Sequence, residues 1–175
     1  MGTTIIAGNA TNNGASISSD TAGSLQIQTG STPTNAITIS SSQIVNIPNQ
    51  ISFTANTNGV GTFATSNSVI TFTLVGSNIG NCYNPSTGRF TATVAGRYLF
   101  TAALMATGTG RYYFNLRKNA QNYAQAGGES TNYLLTSISY IMTLAVGDYV
   151  DVYITTGTLY NASNVENYFT GHLLG

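Results

Sequence analysis

The residues able to move protons or hold ions are few. His172 is the single histidine, and between Gly171 and Leu173 in an apolar stretch an imidazole packs more readily than it acts as a general base. Asp148 and Asp151 are three positions apart in a stretch of strand composition, a spacing that turns their side chains to opposite faces. Asp148 is therefore expected in a turn and Asp151 as an edge charge, with no cation site between them. Glycoside hydrolysis needs two carboxylates about 5 to 9.5 Å apart, and the five acidic residues form no such pair in the sequence pattern. The glycines at 108 and 110 do not open a phosphate loop, because Tyr113 stands where a third glycine is needed and no helix pattern follows. The sequence thus offers no catalytic residue, no metal site and no cofactor site, and the chain is expected to be non-enzymatic.

Binding chemistry is better represented. Tyr112 and Tyr113 follow the Gly108-Thr109-Gly110-Arg111 turn, and Tyr160 precedes Asn161-Ala162-Ser163-Asn164. Loop tyrosines beside Asn and Ser can stack on sugar rings while donating hydrogen bonds, so these three are candidate ligand contacts for a glycan. The competing reading is that most tyrosines of a β protein, Tyr98, Tyr140 and Tyr153 among them, serve core or intersubunit packing. Charged residues make up 6% of the chain, against about 25% in an ordinary soluble domain. Four arginines and Lys118 are too few to neutralise a nucleic-acid backbone, so nucleic acid is excluded as a partner. No apolar run approaches a membrane span, and Ile6 stands where a myristoylation signal needs Ser or Thr. The start lacks the basic and apolar regions of a secretory leader. The glycosylation patterns Asn9-Ala10-Thr11 and Asn161-Ala162-Ser163 are of the kind that an Asn- and Thr-rich chain produces by chance. Cys82 is alone and closes no intrachain disulfide.

The elements that must position these residues divide at about residue 50. Every aromatic residue lies at or after Phe53, and Asp20 is the single charge before Arg89. Residues 1–50 are rich in Gly, Ser, Thr and Asn, with apolar pairs at Leu25/Ile27, Ile37/Ile39 and Val45/Ile47, each fit for one face of a short strand. Such a segment buries too little to order one copy alone. It is expected to be a β-rich shaft or anchor whose open edges pair between three chains, the alternative being a flexible linker. Residues 51–175 alternate strand-forming stretches with Gly, Asn and Pro turns and carry no helix pattern, which indicates a two-sheet sandwich of the jelly-roll kind. Within 83–100, Asn84-Pro85-Ser86-Thr87-Gly88 makes a turn, Phe90, Ala92 and Val94 share one strand face, Gly96 opens the next corner, and Tyr98 and Phe100 point together.

The stretch from Ile70 to Phe100 resembles the complement C1q-like globular head, a branch of the tumour-necrosis-factor-like jelly rolls. The matching positions are Phe72, Asn78, Gly80, Tyr83, Gly88, Phe90, Gly96, Tyr98 and Phe100, followed in order by Leu144, Gly147, Asp148 and Val150, and by Phe169, Gly171 and Leu173. The resemblance covers residues 51–175 and implies a ten-stranded all-β jelly roll forming a homotrimer, with the closing strand near the threefold axis. Phe169 and His172 of that strand become the trimer-interface candidates, with Phe169 taken as the inward one. Ala92 stands where the family often has a cysteine, and no collagen repeat precedes the head. The segment from Ser24 to Ile47 is similar to Thr/Asn-rich parts of bacteriophage tail-fibre and virion-appendage proteins. Together the two likenesses imply a structural virion protein of a bacteriophage, a trimeric fibre or decoration protein. It would be assembled in the host cytoplasm, joined to head or tail proteins, and its knob would touch a host-surface glycan or protein. The alternative is a secreted C1q-like lectin or binding module attached to no particle.

Overall fold

The computed structural model describes residues 5–6, 16–19, 21–30, 32, 34–59, 61–161 and 165–175. The sequon at Asn9, the last two positions of the sequon at Asn161, and Asp20 lie outside them. The chain divides into two compact units, Met1–Gln50 and Ile51–Gly175.

In the first unit five strands form an antiparallel meander in chain order: β1 (Ile5–Ile6), β2 (Ser16–Ser19), β3 (Leu25–Thr29), β4 (Thr34–Ile39) and β5 (Val45–Asn46). Leu25 pairs with Ile39 and Ile27 with Ile37. The apolar pairs Leu25/Ile27 and Ile37/Ile39 are thus the two sides of one hairpin, reversed through Gly30 at φ 100°. Each of these strands pairs with its neighbour in sequence, because short loops close hairpins at small entropic cost.

The second unit is all-β and antiparallel, with no helix among the described residues. One sheet runs β10 (Tyr83–Asn84), β11 (Arg89–Thr91), β16 (Tyr149–Thr156), β13 (Gly110–Lys118), β14 (Gln121–Ser130), with β8 (Ser68–Val69) joined to β16. The other runs β7 (Gly61–Thr65), β17 (Thr158–Asn161), β12 (Gly96–Thr107), β18 (Tyr168–Leu173), β6 (Ser52–Asn56), β9 (Leu74–Ile79), with β15 (Tyr133–Leu144) along the free side of β12. These are called below the β16 sheet and the β12 sheet. Period-two alternation sets their inner faces: Phe53 and Ala55 of β6, Phe100 and Ala102 of β12, and Phe169 and Gly171 of β18 are all buried.

The sheets meet in a cluster of rings. Phe53 of the β12 sheet stacks on Tyr83 at 4.7 Å between centroids and on Phe90 at 5.6 Å, while Phe169 meets its edge at 4.9 Å. Phe90 also takes Tyr98 and Phe100, each at 5.1 Å. Room for this cluster depends on Gly171, since a Cβ there would come within 2.5 Å of Phe53 and 2.8 Å of Phe100. The corner from Asn84 to Gly88 closes with a bond from the Gly88 N–H to the Asn84 carbonyl at 3.0 Å. Gly88 adopts φ 69°, and a side chain there would strike the Ile70 carbonyl. The result is the jelly-roll sandwich that the alternation and turn chemistry of residues 51–175 indicate.

Candidate functional site

On the outward face of the β16 sheet, three charged residues stand side by side. Asp151 pairs in register with Arg89 of β11 on one side and Arg117 of β13 on the other. Arg117 grips the carboxylate with both ends of its fork, Nε to Oδ1 at 2.7 Å and Nη2 to Oδ2 at 3.0 Å. Arg89 Nε lies 3.5 Å from Oδ2. The guanidinium of Arg117 covers the Tyr153 ring at 3.8 Å, and that of Arg89 covers Tyr149 at 4.2 Å. Under this cover Asp151 is 0% exposed. The expected edge charge is therefore corrected to a buried, bidentate ion pair; the two arginines arrive from strands that sequence spacing does not reveal.

Asp148 sits in a turn. It accepts from the Asn119 amide at 2.7 Å and the Ala145 N–H at 2.8 Å and faces Lys118 Nζ at 2.9 Å. The Asn119 bond, then Lys118, then the Ala145 N–H lower this carboxyl to about 2. Both aspartates are thus held by cations and amides, and among the described residues no three His, Cys, Asp or Glu side chains gather as a metal set.

The outward face of the β12 sheet has another character. Ile141, Leu99, His172, Ser52 and Ile79 form one row across five strands. The next row is wholly hydroxylic: Ser139, Thr101, Thr170, Thr54 and Ser77. Its ends are tied by Thr101–Ser139 and Thr54–Ser77 hydroxyl contacts of 2.9 and 3.1 Å. Beyond it Tyr168, Asn56 and Leu74 align, and Leu135 stands beside Met105. Leu135 is 57% exposed and Ile141 45%, with Tyr133, Leu74 and Ile79 also exposed. A broad apolar face with a hydroxyl seam is left open to solvent.

The residues picked from sequence scatter over these surfaces. Tyr112 is 1% exposed; its hydroxyl donates to the Leu104 carbonyl at 3.0 Å, and burial pushes the phenol up. It is a core residue, which corrects its reading as a ligand contact: parity along β13 turns Tyr112 inward and only Tyr113, half-buried, outward. Tyr160 belongs to the β12 sheet, with its ring 4.7 Å from Tyr133, and a hydrogen bond with Tyr133 raises its phenol. The three tyrosines therefore do not share one site. Phe169, 0% exposed, belongs to the ring cluster, so its assignment to a subunit interface is corrected; His172, three positions on, is the member of the pair that faces outward. Asn78 organises the loop ahead of the aromatic corner, its Oδ1 accepting from the N–H groups of Cys82 and Tyr83 at 2.9 and 3.0 Å. Burial pushes the Cys82 thiol up to about 11, so it is not a reactive group at neutral pH. Sequence reasoning passed over Arg117 and Arg89 as partners of Asp151, and over Tyr123 of β14. The one signal for Tyr123 is the amide-rich run Asn119–Gln125 around it.

Comparison with known proteins bears on the whole head. The C1q domain profile matches residues 52–174. Complement C1q tumor necrosis factor-related protein 3 is 33% identical over 119 residues in Homo sapiens and over 115 in Mus musculus. In each case 64% of this chain aligns with 47% of the relative, so the chain spans about half the length of the curated relatives it matches. Three solved structures share the fold. The globular domain of zebrafish complement 1qA superposes with a TM-score of 0.58 at 22% identity, over 72% of this chain and 98% of that one. Eiger TNF from S. frugiperda gives 0.61 at 14% identity, over 72% and 93%. Murine APRIL gives 0.61 at 10% identity, over 71% and 99%. The mammalian kinship overturns the expectation of a bacteriophage virion protein, tail fibre or decoration protein located in a particle. That reading rested on a Thr/Asn-rich pattern in the leader, and any short-stranded, low-charge hairpin unit satisfies such a pattern. Through its second unit, the chain belongs to the C1q domain family.

Proposed function

We propose that the protein is a secreted, non-enzymatic C1q-like binding module, attached to no particle, which associates as a homotrimer through the outward face of the β12 sheet. The observation that carries this reading is the exposed apolar surface around Leu135, Ile141, Leu74 and Ile79 on a sheet whose inner face already belongs to a complete core. Apolar surface of this extent is characteristic of interfaces. His172 lies in the same face, so of the two interface candidates it is the one this reading keeps. Both described aspartates are engaged in ion pairs, which supports a binding role over hydrolysis. Secretion is inferred from kinship with the mammalian C1q-related proteins, and free protein in culture medium tests it.

Self-association is tested by sedimentation velocity at micromolar concentration in low and high salt. A trimer that persists in high salt is expected, since burial of apolar surface is not screened. Ile141→Arg combined with Leu135→Arg is expected to give a folded monomer, because each places a charge in the contact without touching the core. A wild-type monomer at that concentration would sink the reading.

A further inference from the structure

The outward face of the β16 sheet holds a second feature, separate from the buried ion pair. Asn115 of β13 lies in register with Gln125 of β14 on one side and Tyr153 of β16 on the other. Its side chain is tied down: Nδ2 donates to Thr155 Oγ1 at 2.6 Å, and Oδ1 accepts from Gln125 Nε2 at 3.3 Å. Immediately beside this pair the β13–β14 register slips, between Leu116 and Arg117, and Tyr123 is left without a cross-strand partner. A bulge of this kind re-aims a side chain. Tyr123 is 48% exposed. It borders a shallow depression whose other walls are Asn115, Asn122, Ala124 and Gln125.

We propose that this depression binds a neutral saccharide ring. The chemistry selects the ligand class. One open phenol ring beside the exposed amides of Asn122 and Gln125 offers an apolar stacking surface together with paired donors and acceptors, which is the complement of a pyranose with its C–H face and hydroxyl rim. Anionic ligands are disfavoured, because the nearest cation, Arg117, spends its fork on Asp151 and its face on Tyr153. An apolar peptide is disfavoured by the amide lining. Rigidity favours a small ligand: Asn115 is 1% exposed and bonded to both Thr155 and Gln125, so the floor is already organised before binding.

The proposal deepens the binding-module reading by naming a ligand class, and it rests on that reading. The test is saturation-transfer NMR on the full chain with free galactose, glucose, mannose and N-acetylglucosamine, paired with backbone-amide shift mapping. Saturation of ring protons by at least one sugar is expected, with shifts centred on Asn122–Gln125. Tyr123→Ala should abolish the transfer, and Gln125→Ala should weaken binding by about tenfold. Tyr140→Ala, on the β12 sheet, should leave it intact. No transfer from any of the four sugars, shifts centred elsewhere, or undiminished transfer in Tyr123→Ala would overturn the proposal. Sugar binding by a wild-type chain that sediments as a monomer would count against the trimer alone, and a trimer without sugar binding would count against the ligand class alone.

Discussion

Two aspartates three positions apart make opposite use of a cation. Asp151 is enclosed, and its charge is tolerable because Arg117 returns two hydrogen bonds and Arg89 stands close on the other side. Removing one partner of such a pair leaves an uncompensated buried charge, which costs about 3–5 kcal/mol. Arg117→Ala is therefore expected to destabilise the head by that amount in urea unfolding, and Arg117→Lys to recover only part of the loss, since an ammonium cannot bond both carboxylate oxygens in plane. Arg89→Ala, with its side chain 41% exposed and its contact longer, should cost much less. Asp148 lies at the surface and acts through pH. Its carboxyl falls from 3.8 to about 2 in the folded protein, so its contribution to stability is complete above the unfolded value, declines as pH drops from about 4 towards 2, and is absent below. Asp148→Asn should flatten the acid limb of a midpoint-against-pH curve in that window and leave the curve above pH 5 parallel to wild type. An unaltered acid limb would remove Asp148 from the account.

At the level of strands, the inner faces were readable and the pairings were not. Phe90 with Ala92, and Tyr98 with Phe100, declare a shared face by period-two alternation alone, and both pairs are buried. Parity likewise separates Phe169 from His172. It cannot say which of the two faces looks into the sandwich, and only the packing of Phe53, Tyr83 and Phe100 around Phe169 decides that. The partners of Asp151 and the bulge at Tyr123 were invisible for a related reason: each depends on which strands become neighbours, a long-range property. Val94 shows a local limit. It continues the Phe90–Ala92 alternation in sequence, yet β11 ends at Thr91 and Val94 is exposed in the corner, where its carbonyl accepts the Tyr98 hydroxyl at 2.6 Å. The closing strand supplies the sharpest test of packing. Gly171→Ala pushes a methyl group into the Phe53 and Phe100 rings, which do not yield as a flexible side chain would, and overpacking of this sort costs about 1–3 kcal/mol. Phe169→Ala leaves a cavity among the same rings and should cost about 3–5 kcal/mol. Thermal unfolding should place both variants below wild type, with Phe169→Ala the lower.

For the molecule as a whole, the question is which unit drives association. Residues 51–175 contain a closed core in which both sheets contribute rings, and the C1q domain profile ends within them. The apolar side chains of the first unit include no aromatic ring, and Ile44, Val45 and Ile47 remain exposed. A sheet with so little to bury contributes little free energy to its own order. A fragment beginning at Ile51 is therefore expected to fold with an unfolding midpoint close to that of the full chain and to sediment as the same oligomer. The complementary fragment, residues 1–50, should show neither a cooperative transition nor self-association. If the head fragment sediments as a monomer while the full chain is a trimer, association belongs to the leader, and the outward face of the β12 sheet must be read as a docking surface for a different protein. The Ile141→Arg/Leu135→Arg variant of the full chain then decides between them, because arginines on the head abolish a head-driven trimer and leave a leader-driven one intact.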